Sequence, residues 1–376
     1  MEQNLGYLGM RLVALDEVLV LLLPLPLIVI ANWHERAPQG DGGFSRVASA
    51  VGGAIWLLLG LVAALNFVLA LAALAGTATG ASGASGAGGR GLLAYAAVLV
   101  VTGVVSGALI AAPVRVSVAR VLPIDPRSAV HATALVLSVV LVGSQLASQL
   151  SVDVLSQQAT AGSALAPIDL LAQEVPFLLA AVLGVGLFIR RDPRAVLDRL
   201  GLVRPTAWQI LLGLAAAGLF YAFGNGADAL SHAITPGVAD KVQAANQRLF
   251  GQLVDPAGIA TIALSAGICE EALFRGAMQP RLGILWTAIV FTAVHTQYGL
   301  SLDAAAVLVL ALGLGLLRRV TNTTTSTTCH VVYNTLVGVG VGGVWLVPAL
   351  GIEAVLVLAG IAAFLTGRLG SLRTAP

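Results

Sequence analysis

The chain has 376 residues, 58% of them hydrophobic and 10% charged, with a formal net charge of +2 and a mean hydropathy of +0.93. Soluble domains carry roughly a quarter charged residues, so this chain has too few charges to cover a water-facing surface. That excludes a soluble enzyme and a disordered chain, and the scattered basic residues leave no electrostatic footprint for nucleic acid.

The remaining class is all-α: a polytopic transmembrane helical bundle of about 10–11 spans. Apolar runs of spanning character fall near 18–32, 51–75, 92–113, 129–149, 168–189, 207–224, 257–279, 283–297, 303–317, 327–347 and 349–366. The first begins after Asp16 and Glu17 and holds Pro24 and Pro26. With no basic segment before it, it reads as a kinked span and not as a cleaved signal peptide. The Gly/Ser/Ala-rich stretch 76–91 reads as a flexible connector. Residues 225–256 form the longest polar stretch. Within it 238–251 reads either as an amphipathic interfacial helix or as an ordinary extracytoplasmic loop. The last two runs are two spans or one helix broken around Pro348. Residues 1–150 are taken as an N-terminal transmembrane region of about four spans, and 151–376 as the catalytic transmembrane core.

Orientation follows from basic loops. With eleven spans, Arg36, Arg46, Arg115, Arg120, Arg127, the group from Arg190 to Arg204, Arg281, Arg318, Arg319, Arg368 and Arg373 fall on one side. Only Arg11, Arg90, Lys241 and Arg248 fall on the other. This puts the N-terminus outside and the C-terminus in the cytoplasm. Lys241 is the single lysine, and the arginine bias with abundant Ala and Gly fits a GC-rich bacterial genome and an integral protein of the bacterial plasma membrane.

A charge inside a span is expensive and marks a candidate site. In the first half His131 and Glu174 open their spans and read as interfacial. Asp303 reads as a helix N-terminal acid favoured by the dipole, and Glu353 as a cap or snorkelling group opening the last span. The C-terminal half carries three clusters in order: Glu270-Glu271-Ala272-Leu273-Phe274-Arg275, then Phe291 to His295, then His330 to Asn334. Glu271 and Arg275 are four apart with the acid first, the favourable orientation for an intrahelical ion pair. Glu270 lies about 100° around the helix and is left free to face a cavity. Phe291 and His295 share one face, as do His330 and Asn334. A straight eighth span carries His295 about 18 Å from residue 283, so its convergence with His330 demands a tilted or displaced span.

A carboxylate, two histidines and an asparagine suffice to hydrolyse an amide. Glu270 serves as general base and acid, and an amide beside an imidazole donates to an oxyanion. The set runs with zinc held by Glu270, His295 and His330, or without metal by water activation. There is no His-Glu-x-x-His and no Gly-x-Gly-Asp motif, and no Gly-x-Ser elbow precedes Ser265. Cys269 and Cys329 adjoin motif residues but point away from them, as packing groups. A catalytically silent membrane scaffold or regulator, and a small-solute transporter gated by Glu270 and Arg275, are the competing readings.

The motifs EEALFR (Glu270, Glu271, Arg275), FTAVH (Phe291, His295) and HVVYN (His330, Asn334) resemble those of the CAAX protease and bacteriocin-processing (CPBP, or Abi) family of intramembrane metalloproteases. The likeness runs over roughly 168–366, and LDRLGLVRPTAWQ at 197–209 resembles the segment that precedes the family's core. The resemblance implies a glutamate-dependent intramembrane endopeptidase acting on a membrane protein or peptide in the lipid bilayer. It implies that Glu270 activates water with His295, that His330 and Asn334 bind the oxyanion, and that Glu271, Arg275 and Phe291 support them. Zinc is possible within the family and so is metal-free activation. A bacterial origin argues against a prenylated substrate.

Overall fold

The computed structural model describes residues 21–36, 43–78, 87–161, 164–342, 344 and 346–365. Apart from one bridge between Leu187 and Arg191, its regular elements are helical. In chain order they are α1 (Pro24–Arg36), α2 (Gly43–Ala78), α3 (Ala87–Ala108), α4 (Ala112–Val118), α5 (Ala129–Ser151), α6 (Val154–Ala161), α7 (Pro167–Gly184), α8 (Pro193–Leu200), α9 (Ala207–Ile234), α10 (Pro236–Phe250) and α11 (Pro256–Glu270). A π-helix (Glu271–Met278), α12 (Gln279–Val294), a 3-10 turn (Thr296–Tyr298), α13 (Leu302–Val320), α14 (Thr323–Val339) and α15 (Leu346–Leu365) follow.

Six stretches among the described residues are long and apolar enough to cross a bilayer: 50–77, 89–108, 129–151, 167–184, 207–234 and 256–294. This is fewer than the ten or eleven runs read from the sequence, for local reasons. Of the run expected as a kinked first span, residues 18–20 lie outside the described residues, 21–22 are helical, and a turn at Leu23 precedes the 13-residue helix from Pro24, where a fixed φ suits a first turn. The sixth stretch is broken at Gly283 (φ 74°, ψ 169°), a backbone region that only glycine enters cheaply, so it contains the expected seventh and eighth runs. The ninth, α13, carries Asp303, Arg318 and Arg319. The tenth, α14, has 17 residues. Pro348 sits in the first turn of α15, so α14 and α15 are separate helices.

Two motif-bearing helices, α11 and α14, and α13 between them begin at side-chain caps. Asp255 accepts from the Gly258 amide at 2.7 Å, Ser301 from Ala304 at 3.1 Å and Asn322 from Thr325 at 2.9 Å. Each satisfies an amide that a helix start leaves without a partner. The N-terminal helices share a core with this half. Leu27, Ile55, Val136 and Leu282 form one buried cluster, and Trp286 donates to Ser138 at 2.9 Å. On the outer side of α2, Leu57 and Leu71 are 64% and 66% exposed, a surface that lipid covers and water does not tolerate.

The polar stretch after residue 224 is neither loop nor free. Helix α9 runs on to Ile234, and α10 packs Val242 and Ala245 against Leu155. Of the expected connector, residues 76–78 end α2, residues 87–91 start α3, and 79–86 lie outside the described residues. Arg11, Arg368 and Arg373 also lie outside them.

Candidate active site

Helix α11 meets α14 at Gly267. A Cβ there would stand 2.5 Å from Val331 Cγ2, so only hydrogen permits the approach that sets Glu270 beside His330. Directly after Glu270 the chain passes into the π-helix, with the Gln279 amide bonded to the Phe274 carbonyl. Such widened turns concentrate at functional sites, and the expected ordinary α-helix through EEALFR is corrected to this one.

Glu271 and Arg275 are both fully buried. Arg275 Nε lies 3.5 Å from Glu271 Oε1, and a second guanidinium nitrogen donates to the Ala311 carbonyl at 3.4 Å. The same Glu271 oxygen accepts from His330 Nδ1 at 3.1 Å. A carboxylate only accepts, so Nδ1 carries the proton and Nε2 faces the other way. His295 is oriented likewise: its Nδ1 donates to the Phe291 carbonyl at 2.8 Å. The Phe291 ring stacks on the imidazole of His295 at 4.5 Å and carries the Arg275 guanidinium over its ring at 4.4 Å. Phe291 thus packs between the ion pair and one histidine, and it meets Phe274 edge-on at 5.1 Å.

Glu270 stands between the two free imidazole nitrogens. Its Oε1 is 3.9 Å from His295 Nε2 and its Oε2 is 3.9 Å from His330 Nε2. The carboxylate is buried, and Oε2 has no protein hydrogen-bond partner. Helix α12 ends at Val294, and His295 is the first residue beyond it, with φ −89° and ψ 62°. Convergence therefore comes from a helix that stops, and a straight span carried through His295 is not needed.

All four residues, Glu270, His295, His330 and Asn334, line one cavity of about 1640 Å³ that extends to exposed Asp228. Among the described residues no three His, Cys, Asp or Glu side chains gather closely enough to hold a metal ion. Glu270, His295 and His330 are nonetheless the donors that would hold a zinc ion, since ligand atoms about 2.0 Å from one zinc stand about 3.3 Å apart, close to the 3.9 Å separations here.

Two acids differ from expectation. Glu174, read as interfacial, is buried on α7, lines the same cavity, and has an unpartnered Oε2. Its place as the only acid in the interior of that apolar helix was the available signal. Glu353, read as opening the last span, lies within α15, and its carboxylate packs on Gly218. Asp303 is the second residue of α13, as a dipole acid should be. It also accepts from Ser231 at 2.8 Å, tying α13 to α9. His131 stays at the start of α5, where its Nδ1 accepts from the Asp125 amide at 2.9 Å. Ser265 donates to the Thr261 carbonyl at 2.6 Å, and Cys269 and Cys329 are buried in packing positions.

Residues 253–336 match the family described as Type II CAAX prenyl endopeptidase Rce1-like. The matched stretch holds all three motifs. No curated protein and no solved structure matches the chain.

Proposed function

We propose that this polytopic membrane protein, whose residues 253–336 match the Type II CAAX prenyl endopeptidase Rce1-like family, is an intramembrane endopeptidase of the CAAX protease and bacteriocin-processing kind acting on a membrane-associated protein or peptide. The observation that carries the reading is the Glu270 carboxylate held between two imidazole nitrogens at 3.9 Å each, in the wall of a large cavity. A separation of 3.9 Å is too long for a direct hydrogen bond. It suits a water that reaches both groups at about 2.8 Å.

Such a water donates one hydrogen to Glu270 and one to His295 Nε2, and its oxygen lone pair is then aimed at a scissile carbonyl in the cavity. Glu270 takes the proton as attack proceeds and returns it to the leaving amine. His330 takes a proton on Nε2 from water in the cavity before attack, donates it as a hydrogen bond to the developing oxyanion and keeps it through turnover, and the Asn334 amide one turn on supplies a second donor. Glu271 holds His330 in this orientation and offsets the charge it acquires, while Arg275 holds Glu271. Zinc, if bound, would be held by Glu270, His295 and His330 and would polarise the water and the scissile carbonyl. The arginine-rich end of the bundle is assigned to the cytoplasm by the distribution of basic residues. The family description refers to prenylated CAAX proteins; the substrate here is assigned only as a membrane-embedded peptide, without a lipid requirement.

The test compares wild type with Glu270→Gln, both reconstituted in lipid vesicles with a mixture of membrane peptides, and reads new termini by mass spectrometry. Wild type cleaves, and the variant, with unchanged helical circular dichroism, is slower by about a hundredfold or more. Equal cleavage by both proteins, or none by either across the mixture, overturns the assignment.

A further inference from the structure

At the end of the bundle where α7 stops, α12 starts and α13 stops, five arginines meet: Arg190, Arg191, Arg199, Arg281 and Arg318. Their segments are packed together: Val185, Val196 and Ala272 share one buried cluster, Arg199 donates to the Gly276 carbonyl at 3.1 Å, and Gln279 at the start of α12 donates to Gly315 near the end of α13 at 2.8 Å. Burial, then Arg281, Arg191, Arg318 and Arg190 in turn, push the Arg199 guanidinium down to about 10. Like charges do not gather at a helix-bundle end without an offsetting anion unless the gathering has a use, since each pair costs free energy in a partly desolvated setting.

The protein supplies little offset. Glu35 pairs with Arg190 and is already engaged by Ser128 Oγ and by the Val130 amide at 3.0 Å. Among the described residues no carboxylate forms an ion pair with Arg191, Arg199, Arg281 or Arg318. Arg191 and Arg199 each donate to a main-chain carbonyl, of Val185 and of Gly276. Arg190, Arg281 and Arg318 each bury an Nε with no hydrogen-bond partner. Arg115 shows the contrast: its guanidinium donates to three carbonyls, of Pro126, Leu109 and Ile110, and lies over Trp56. Arg115 is spent on structure, whereas Arg281 and Arg318 have neither a carboxylate partner among the described residues nor an acceptor for their Nε.

We infer that Arg199, Arg281 and Arg318, with Arg190 and Arg191 beside them, form a binding site for a phosphate group, supplied by the headgroup of an anionic membrane lipid. Guanidinium donors match phosphate oxygens in forked geometry, and basic pockets between spanning helices suit such headgroups. Two exposed apolar side chains on the adjoining segments, Phe188 at 75% and Leu197 at 48%, give acyl chains a contact that free phosphate would not use. The site also touches the chemistry-bearing segment, because Arg199 donates to Gly276 within the π-helix at 3.1 Å. This inference does not rest on the proposed peptidase activity.

The test uses the full chain in detergent and measures retention of phosphatidylglycerol and of phosphatidylcholine by native mass spectrometry, with inorganic phosphate and pyrophosphate as competing arms. Wild type retains phosphatidylglycerol selectively. Arg281→Gln/Arg318→Gln loses roughly thirtyfold in retention, while Arg204→Gln, an exposed arginine outside the cluster, does not. Arg281→Lys/Arg318→Lys, which keeps the charge, retains part of the preference and guards against a folding artefact. Displacement by pyrophosphate in wild type but not in the glutamine variant assigns the same site to a free anion and supports the phosphate chemistry. Equal retention by wild type and the glutamine variant overturns the inference.

Discussion

His330 and Glu271 are joined across two helices by a 3.1 Å hydrogen bond between Nδ1 and Oε1, and the same oxygen faces Arg275 at 3.5 Å. The second glutamate of the pair is therefore not a spare copy of the first. It converts a buried arginine into a fixed acceptor that turns one imidazole nitrogen toward Glu270.

Glu271→Gln is expected to fail twice. It leaves Arg275 buried without its counter-charge, a loss of about 3–5 kcal/mol of stability, and it releases His330, for a rate loss of about 10–100-fold by analogy with outer-shell partners of histidine ligands. The two effects separate in Glu271→Gln/Arg275→Met. Removing both charges recovers much of the thermal stability, read by a melting assay in detergent, while peptide cleavage stays low. If cleavage recovers with stability, Glu271 serves the fold and not His330.

Much of this site was legible in the sequence because its logic is local. Four-residue spacing placed Glu271 with Arg275 and His330 with Asn334, and the pairing of Glu271 left Glu270 free to face the cavity. What could not be read is what depends on distant backbone. Glu174 and Glu270 are 96 positions apart in the chain (270 − 174), and only the packing of α7 on α11 brings them to one cavity. The π-helix is invisible to a 3.6-residue reading, because widening one turn leaves i and i+4 neighbours near one another. The apolar runs outnumber the six long apolar helices among the described residues for a related reason: a run read from sequence is not cut at a kink, a cap or a charged helix end.

Glu174→Gln is expected to raise stability and lower turnover together. A buried carboxyl group with an unpartnered oxygen costs the fold about 1–3 kcal/mol, and the isosteric amide removes the further cost of ionising it beside Glu270. Proteins retain such costs where function needs them. Melting and cleavage measured on one preparation decide it; unchanged cleavage in a stabilised variant makes Glu174 a packing accident of the cavity wall.

Lys241 and Asp153 pair outside the spans, where α10 approaches the start of α6. The hydrogen bond from Lys241, then those from Ser156, hold the Asp153 carboxyl down to about 2. A depressed acid stabilises above its unfolded pKa of about 3.9 and loses that contribution as pH falls toward the folded value. Both groups are about half exposed, so the contribution is discounted to about 0.2–1 kcal/mol. Hydrogen exchange over 236–250 is expected to be faster in Asp153→Asn than in wild type at pH 6, and the two rates should converge as pH falls from about 4 to about 2. A constant difference across that window removes the ion pair from the attachment of α10.

Chelation separates the two ways of activating water. The 3.9 Å separations about Glu270 leave room for a water between carboxylate and imidazole, and three ligand atoms about 2.0–2.2 Å from a zinc would stand only slightly closer, about 3.3–3.6 Å apart, so the choice is decided by chelation and not by distance. Wild type treated with 1,10-phenanthroline and dialysed is expected to keep its cleavage rate and its melting temperature. Loss of cleavage that added zinc restores, together with metal measured by elemental analysis at one ion per chain, would move Glu270, His295 and His330 from a water-bridging set to a ligand set. His295→Ala tells the two apart without chelator. If water is activated by the pair, it loses about 10²–10⁴ in rate as a missing base does and leaves any adventitious metal content unchanged. If the imidazole is a ligand, bound metal falls with the rate.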